Sequence, residues 1–325
     1  MKLPRRQFLY LAAGAAALPA VSRIARAQTY PTRPVRLIVG FAAGGAPDIL
    51  ARLLGQWLSE RLDRQFIVEN RPGAASNVAT EAVVHAAPDG YMLLITAPPN
   101  AVNASLYEHL NFNFIRDIAP IAGVMRVPFV MSVNPALPAK TVPEFITYAM
   151  ANPGTVNFGS GGNGTGTHMA GELFKMLSVV NMVHVPYRTE AHALTDLLGG
   201  QLQVVFGTMP PSLEFIKAGK LRAVAVSTAT RSGALPNVPT VGEVLPGYEC
   251  SAFYGVGAPK NTPVEIVDRL NKEINVGLDD PKLKAQIADL GGVVLAGSPA
   301  DFGKLIADET EKWAKVVRAA HIKAE

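Results

Sequence analysis

Two glycine-rich loops hold the residue types best suited to binding a small ligand. Each follows a short apolar run and precedes a helical pattern, which places each loop at a strand-to-helix junction. Glycine lets a ligand approach the backbone closely, and the first turn of the following helix offers free N–H groups and a partial positive charge. This arrangement favours an anion such as a carboxylate. The two loops span residues 40–48 and 159–168.

Each loop is followed by a predicted helix, and an ionisable side chain lies near the start of each of these helices. Asp48 lies near the start of a predicted helix, where a carboxylate can accept hydrogen bonds from backbone N–H groups. His168 lies in the first turn of the other predicted helix, where its ring can bond to the loop backbone. Both are candidate site residues, and we expect both to order the loops rather than to contact the anion directly.

Catalytic and cofactor motifs are incomplete. Gly159, Gly161 and Gly164 fit the dinucleotide pattern Gly-x-Gly-x-x-Gly, but no acid follows about 20 residues later. Ser160 lacks the Gly-x-Ser-x-Gly frame of a hydrolase, because Phe158 replaces the first glycine. The six histidines show no paired spacing, and one cysteine adds little to a zinc site. We therefore predict no catalytic residue, metal or cofactor; the alternative is an exported α/β hydrolase or a cofactor-binding enzyme.

The elements around these loops alternate between short apolar runs and helical patterns. Such alternation predicts an α/β fold in which each of two lobes is a mainly parallel sheet flanked by helices. The predicted strands are residues 35–39, 66–68, 92–96, 156–159, 183–187, 204–206 and 223–227. The predicted helices are residues 47–62, 167–177, 192–198 and 212–218.

Two stretches of the chain are predicted to cross between the lobes. The first holds the apolar runs 121–124 and 129–133, which Arg126-Val127-Pro128 separates, and the second is residues 253–258. Lobe one then comprises residues 28–128 and 253–325, and lobe two comprises residues 129–252. The tail is predicted to be helical and to close back on lobe one.

The first 27 residues have the form of an export signal. Arg5 and Arg6 precede an apolar run, and Ala25-Arg26-Ala27 has the small-x-small form of a signal-peptidase site. We predict that residues 1–27 are a signal peptide and that the mature protein is periplasmic. The paired arginines resemble a twin-arginine signal, so that route and the general secretory route are both open.

The net charge of +4 of the full sequence comes from the cations of these first 27 residues. Five of the 30 Lys and Arg precede residue 28 with no acid among them, which leaves 25 cations against 26 acids in the mature chain. A nearly neutral chain lacks the basic surface typical of nucleic-acid binding. Cys250 is the only cysteine, so packing must hold the fold without a disulfide inside the chain.

A series of short motifs runs in order along nearly the whole mature chain. It includes Val68-Glu69-Asn70-Arg71-Pro72-Gly73, Ala87-Pro88-Asp89-Gly90-Tyr91, His168-Met169-Ala170-Gly171-Glu172, Val185-Pro186-Tyr187-Arg188 and Pro246-Gly247-Tyr248-Glu249. In these motifs the chain resembles the Bug family, the receptors of tripartite tricarboxylate transporters. The resemblance implies a two-lobed periplasmic binding protein fold, type II-like, that closes over its ligand and does no chemistry on it.

The resemblance also implies a ligand, partners and contact residues. The ligand is a small organic carboxylate, and the partner is the membrane permease of a tripartite tricarboxylate transporter. The two crossings between the lobes predict a monomer that closes by a hinge, and the nearly neutral mature chain predicts no nucleic-acid partner. A sensor that reports to a membrane kinase is a further alternative. The implied contacts are Phe41, Ala43, Gly44 and Gly45 in the first loop, Ser160, Asn163, Gly164 and Thr165 in the second, and Asn100, Arg188 and Phe206 on the walls.

Three departures from the family pattern concern the far end of the ligand. Thr189-Glu190-Ala191-His192 follows the Val-Pro-Tyr-Arg motif, where the family usually begins with glycine. Gly207-Thr208 stands where many relatives place Asp or another polar residue, and Phe253 replaces a common tryptophan. With no acid at that corner and an aromatic lip, these departures favour a mono- or dicarboxylate without an amino group.

Overall fold

The first strand, β1 (Val35–Val39), is a run of β-branched and aliphatic residues that is buried almost throughout, as in strands covered on both faces. The computed structural model describes residues 30–107 and 109–323. The predicted signal peptide and its cleavage site therefore lie outside the described residues. The compact unit of the fold begins at Arg33.

The sheet of lobe one is parallel on one side and antiparallel on the other. β1 pairs in parallel with β2 (Phe66–Asn70) and β3 (Met92–Thr96). The order continues from β3 to two antiparallel strands that are described below, the second of which carries a short edge strand, Val293–Val294. The connecting helices are α1 (Ala46–Leu62), α2 (Asn77–Val84), α3 (Pro98–Leu106) and α4 (Phe114–Asp117).

One strand of 16 residues, β4 (Ile118–Val133), belongs to both lobes. The sequence pattern predicted two runs broken near Pro128, but the strand continues through this proline. Pro128 pairs with Ser251, whereas the next residue, Phe129, pairs with Thr208 in the other sheet. Proline cannot donate to a ladder, and it lies here at the point where β4 changes partners, so its missing N–H interrupts neither sheet.

The sheet of lobe two places parallel strands beside β4. Its order is β8 (Arg222–Val226), β4, β7 (Val204–Thr208), β5 (Val156–Ser160) and β6 (Met182–Pro186). The last three of these strands are mutually parallel. The flanking helices are α5 (Val142–Ala151), α6 (Gly166–Ser178), α7 (Glu190–Leu198) and α8 (Met209–Lys217). The two sheets confirm the predicted α/β fold class.

The chain returns to lobe one through β9 (Ser251–Pro259), which pairs with β4 and with β3. Then follow α9 (Val264–Asp279), α10 (Pro281–Asp289), β10 (Val293–Val294) and α11 (Pro299–Ala319). α11 begins with a capping box between Ser298 and Asp301, and it contacts both α3 and α6. Within the described residues every helix is too short or too polar to span a bilayer.

Candidate ligand-binding site

A cavity of about 330 Å³ lies between the two glycine-rich loops. Lobe one contributes one side of it, lobe two contributes the other, and β9 contributes the floor between them. The lining residues are Phe41, Gly45, Pro47, Ala97, Pro98, Pro99, Phe129, Gly161, Thr165, Gly166, Thr167, Glu190, Thr208, Ala252 and Tyr254. Of the predicted contacts, Phe41, Gly45 and Thr165 belong to this lining.

The first loop is held in shape by Asp48. Its carboxylate is almost fully buried and accepts hydrogen bonds from the N–H of Gly44 (2.8 Å), from Asn70 (2.9 Å) and from Arg52 (3.0 Å). Burial alone would raise the pKa of Asp48, but the hydrogen bonds from Arg52, Gly44 and Asn70 outweigh it, and the pKa lies below its ordinary value. Asp48 therefore orders the loop as expected, and it lies outside the cavity lining.

This use of Asp48 limits what the first loop can offer a ligand. The N–H of Gly44 is bonded to Asp48, and Ala43 and Gly44 are exposed positions outside the lining. Pro47, at the second position of α1, has no N–H to give. The contribution of the first loop to the lining is therefore Phe41, Gly45 and Pro47, which together form a largely apolar face.

The second loop is more polar where it meets the cavity. Thr165 caps α6: its hydroxyl accepts from the N–H of His168 at 3.4 Å and donates to the carbonyl of Gly162 at 2.7 Å. The hydroxyl of Thr167 accepts from the N–H of Gly161 at 3.0 Å and lies 3.0 Å from the Thr165 hydroxyl. Two threonine hydroxyls and the start of a 13-residue helix thus meet at one wall of the cavity.

Behind this wall lie the hydroxyl of Ser160 and the imidazole rings of His168 and His184. The hydroxyl of Ser160 lies 2.6 Å from Nε2 of His184, and the rings of His168 and His184 stack at 3.8 Å. Nδ1 of His168 accepts from the N–H of Gly164 at 3.1 Å, so His168 orders the loop as expected. Burial and the neighbouring charge of His168 lower the pKa of His184 to about 3. Ser160, Gly164 and His168 belong to this supporting layer rather than to the lining.

Four other predicted residues also lie outside the lining. Asn100 is buried, accepts from the N–H of Ala97 at 2.8 Å and donates to Thr80 at 2.9 Å, so it caps α3 rather than facing the cleft. Phe206 is fully buried and packs against Phe174 at 5.3 Å, which makes it a core residue and not a wall. Arg188 is exposed, and Asn163 is partly exposed in the second loop.

The expected aromatic lip is formed by a different residue. Phe253 is 1% exposed and packs against Phe302 at 6.5 Å, whereas Tyr254 lines the cavity. Successive side chains of a strand point to opposite faces, so a prediction that is off by one position in β9 selects the wrong face. Phe129 at the partner switch of β4 was also missed, and its ring lies 2.6 Å from where a Cβ on Gly166 would stand.

Glu190 is the acidic residue of the lining, and the sequence pattern did not identify it as a site residue. Its Oε1 accepts from the backbone N–H of Thr208 at 2.6 Å and from the Thr208 hydroxyl at 3.0 Å. Burial raises the pKa of Glu190 to about 7, although the Thr208 bonds act in the opposite direction. The pKa of Tyr254 is raised by its own burial and by the charge of Glu190.

The lining has a distinct charge pattern. Among the described residues that form it, Glu190 is ionisable and Lys, Arg and His are absent. The part of the chain that the structure describes also contains no cluster of three His, Cys, Asp or Glu side chains that could hold a metal ion. An anion in this cavity would therefore be held by hydroxyl and backbone N–H donors and by the positive end of α6.

Comparisons with known proteins match this architecture along nearly the whole chain. The family described as the tripartite tricarboxylate transporter family receptor, TctC, matches residues 50–322. Protein BugT of Bordetella pertussis is 36% identical over 295 residues, which cover 90% of this chain and 90% of that protein.

Solved structures agree. R. palustris Rpa4515 with adipate is 35% identical, with a TM-score of 0.80 and coverage of 90% of this chain and 99% of that one. MatC (Rpa3494) from Rhodopseudomonas palustris with bound malate is 29% identical, with a TM-score of 0.77 and coverage of 89% and 100%. The chain belongs to the Bug family of solute-binding receptors for tripartite tricarboxylate transporters.

Proposed function

We propose that this protein captures a small organic carboxylate between its two lobes in the periplasm and delivers it, as a monomer, to the membrane permease of a tripartite tricarboxylate transporter. The observation that carries the proposal is the cavity wall at the start of α6. There the Thr167 hydroxyl and the backbone of Gly166 and Thr167 lie beside a helix N-terminus, and the Thr165 hydroxyl holds the loop by donating to Gly162. Hydrogen bonds from hydroxyl or backbone N–H donors to a charged group contribute about 1.5–3 kcal/mol each.

The known relatives support the ligand class. Two structural neighbours that share about a third of their sequence with this chain were solved with adipate and with malate, which are both carboxylates. The predicted export signal and the periplasmic origin stated for neighbours such as BugD support the location. An exported receptor meets its ligand outside the cytoplasmic membrane, where a permease can receive it.

The strand pairing supports a hinge between the lobes at the predicted boundaries. β4 changes partners between Pro128 and Phe129, and the N–H of Cys250 bonds to Ser227 of lobe two just before β9 begins at Ser251. Two adjacent extended strands connect the lobes, and small dihedral changes in both can rotate one lobe against the other. We propose lobe one as residues 28–128 and 253–325 and lobe two as residues 129–252.

The same geometry supports binding without catalysis. Ser160 and His184 have the spacing of a nucleophile and its base, but Ser160 is fully buried outside the cavity lining and also bonds to Gly162. A nucleophile must reach a substrate atom, and this hydroxyl has no exposed surface with which to do so. The pair is better explained as support for the second loop.

A thermal-shift screen tests the carboxylate proposal. Adipate, malate and related acids are compared with their amides, because an amide NH2 directs donors toward donors. Acids that bind should raise the unfolding temperature, since a ligand at 100 times its Kd adds about 2.7 kcal/mol of stability. Equal shifts with acids and amides, or a shift only with nucleotides or esters, would overturn the proposal.

A further inference from the structure

We propose that the lobe-two end of the cavity recognises an amino group, with Glu190 as its counter-ion, so that the ligand is a carboxylate that also carries an amine. The proposal rests on the proposed function, because it concerns the second end of the same ligand. It reverses the expectation that the sequence departures gave, which favoured a ligand without an amino group.

Glu190, at the start of α7, reaches the corner of the cavity that Gly207 and Thr208 form. Its Oε1 accepts from the Thr208 N–H, and a Cβ on Gly207 would stand 2.9 Å from this oxygen. Glycine at position 207 thus leaves room for the carboxylate. This corner of the cavity therefore holds an acid, although neither Gly207 nor Thr208 carries one.

The carboxylate of Glu190 has hydrogen-bonding capacity that Thr208 does not use. A carboxylate has about four acceptor positions, and Thr208 offers two protons, one from its N–H and one from its hydroxyl. The hydroxyl lies within reach of both carboxylate oxygens, at 3.0 Å and 2.9 Å, but can donate to one at a time. Glu190 therefore keeps free lone pairs within a cavity that it lines. An ammonium group, with three donors, matches this capacity.

The cavity lining leaves the charge of Glu190 unbalanced. Among the described residues of the lining there is no cation to balance Glu190, and most of the surrounding side chains are apolar or aromatic. A ligand that brings negative charge alone would place two anions in this cavity, which repel each other strongly where water is excluded. A ligand with one carboxylate and one ammonium adds no net charge and pairs Glu190.

The remaining ionisable groups near Glu190 do not replace such a partner. Tyr254 of β9 is the titratable side chain that shares the lining, and as a phenol it brings no positive charge. His192 on α7 bonds to Thr189 at 3.0 Å, and Arg188 is exposed outside the lining. The near-neutral pKa of Glu190, about 7, means that this carboxyl ionises readily once a cation approaches.

Calorimetry with matched probes tests the inference. Each of a set of amino acids with the amine at the α or the terminal position and four to six carbons is compared with its deaminated acid and with the dicarboxylate of equal length. At pH 8 the wild type should bind the best amine-bearing acid at least 10-fold more tightly than its deaminated counterpart. This preference should grow between pH 6 and pH 8, as Glu190 becomes ionised.

Glu190→Gln separates recognition from structure, because a glutamine amide oxygen can still accept the Thr208 bonds. The variant should fold with an unfolding temperature at pH 8 at least as high as that of the wild type, because it removes a buried carboxylate whose pKa burial raises. It should reduce the preference to less than 3-fold and show no pH dependence of it. Glu265→Gln, which removes an exposed acid on α9, should leave every value unchanged.

The outcomes discriminate between the two proposals. If deaminated acids or dicarboxylates bind the wild type as tightly as amine-bearing acids at pH 8, the inference is wrong while carboxylate capture stands. If Glu190→Gln keeps the preference, the amine is recognised elsewhere and the inference is also wrong. If no acid of any kind binds, carboxylate capture fails and the inference fails with it.

Discussion

Gly164 in the second loop approaches Leu106 at the end of α3 so closely that a Cβ on the glycine would stand 2.5 Å from Cδ2 of the leucine. The two residues belong to different lobes, so they form a direct contact across the cleft. Gly164 also has a φ of +71°, in the left-handed region that side chains disfavour. The position therefore demands glycine for its backbone and for the space around it.

Gly164→Ala should lower stability and weaken ligand binding. The left-handed backbone costs about 1 kcal/mol for a residue with a side chain, and the added methyl group must also displace Leu106 and hold the lobes apart. Gly219→Ala is the matched control, because Gly219 has a φ of +68° and no neighbour within 4 Å of its Cβ position. Urea unfolding should show a similar loss from the backbone in both variants, and calorimetry should show weaker binding in Gly164→Ala alone. Equal binding by both would contradict a contact that matters for closure.

Thr165→Val should cost about 1 kcal/mol of stability, since it removes the cap of α6. It should also weaken carboxylate binding, because the cap fixes the loop that lines the cavity. Thr141→Val is the control: Thr141 caps α5 through the N–H of Glu144 and is not part of the cavity lining. Both variants should unfold at lower urea concentration, and only the first should change the Kd. A normal Kd for Thr165→Val would mean that the loop keeps its shape without the hydroxyl.

Thr167→Val should weaken carboxylate binding about 10-fold, which corresponds to one hydrogen bond to a charged group. Arg188→Gln should change it less than about twofold, because Arg188 is exposed and lies outside the lining. Isothermal calorimetry with the best acid from the thermal-shift screen measures both. The opposite ranking would show that a guanidinium, rather than neutral donors, holds the anion.

The free energy of unfolding should decrease as the pH is lowered, and protonation of His184 should account for part of this decrease. Its pKa of about 3 in the folded state lies below the ordinary value of 6.5, so the unfolded chain binds a proton that the folded one refuses. This contribution to stability is complete above pH 6.5 and is lost as pH falls from 6.5 toward 3. His184→Asn removes the titration and should flatten the dependence of the unfolding temperature between pH 7.5 and pH 5. An identical slope in both proteins would place the pH sensitivity elsewhere.

Local sequence patterns predict much of the fold, but they do not predict many of the residues that line the cavity. The run Val35–Val39 is a strand in sequence and in structure, because its apolar residues leave few alternatives. The loops were identified by their glycines, and Thr165 was named as a contact through the family resemblance. Glu190 and Tyr254 were missed, because the first reaches the cavity only through pairing with Thr208 and the second through the face that β9 presents. Such placements depend on contacts between distant segments, which no local pattern encodes.

The pairing of Pro128 with Ser251 places the start and the end of the inserted segment side by side. A segment whose ends are adjacent can be exchanged between relatives without stretching the host. Lobe two carries Glu190, Thr208 and the donors of the second loop, while Phe41 and Gly45 remain in lobe one. A chimera joined at these two residues would take Glu190, Thr208 and the second loop from the grafted protein, so we expect its ligand selectivity to shift toward that protein.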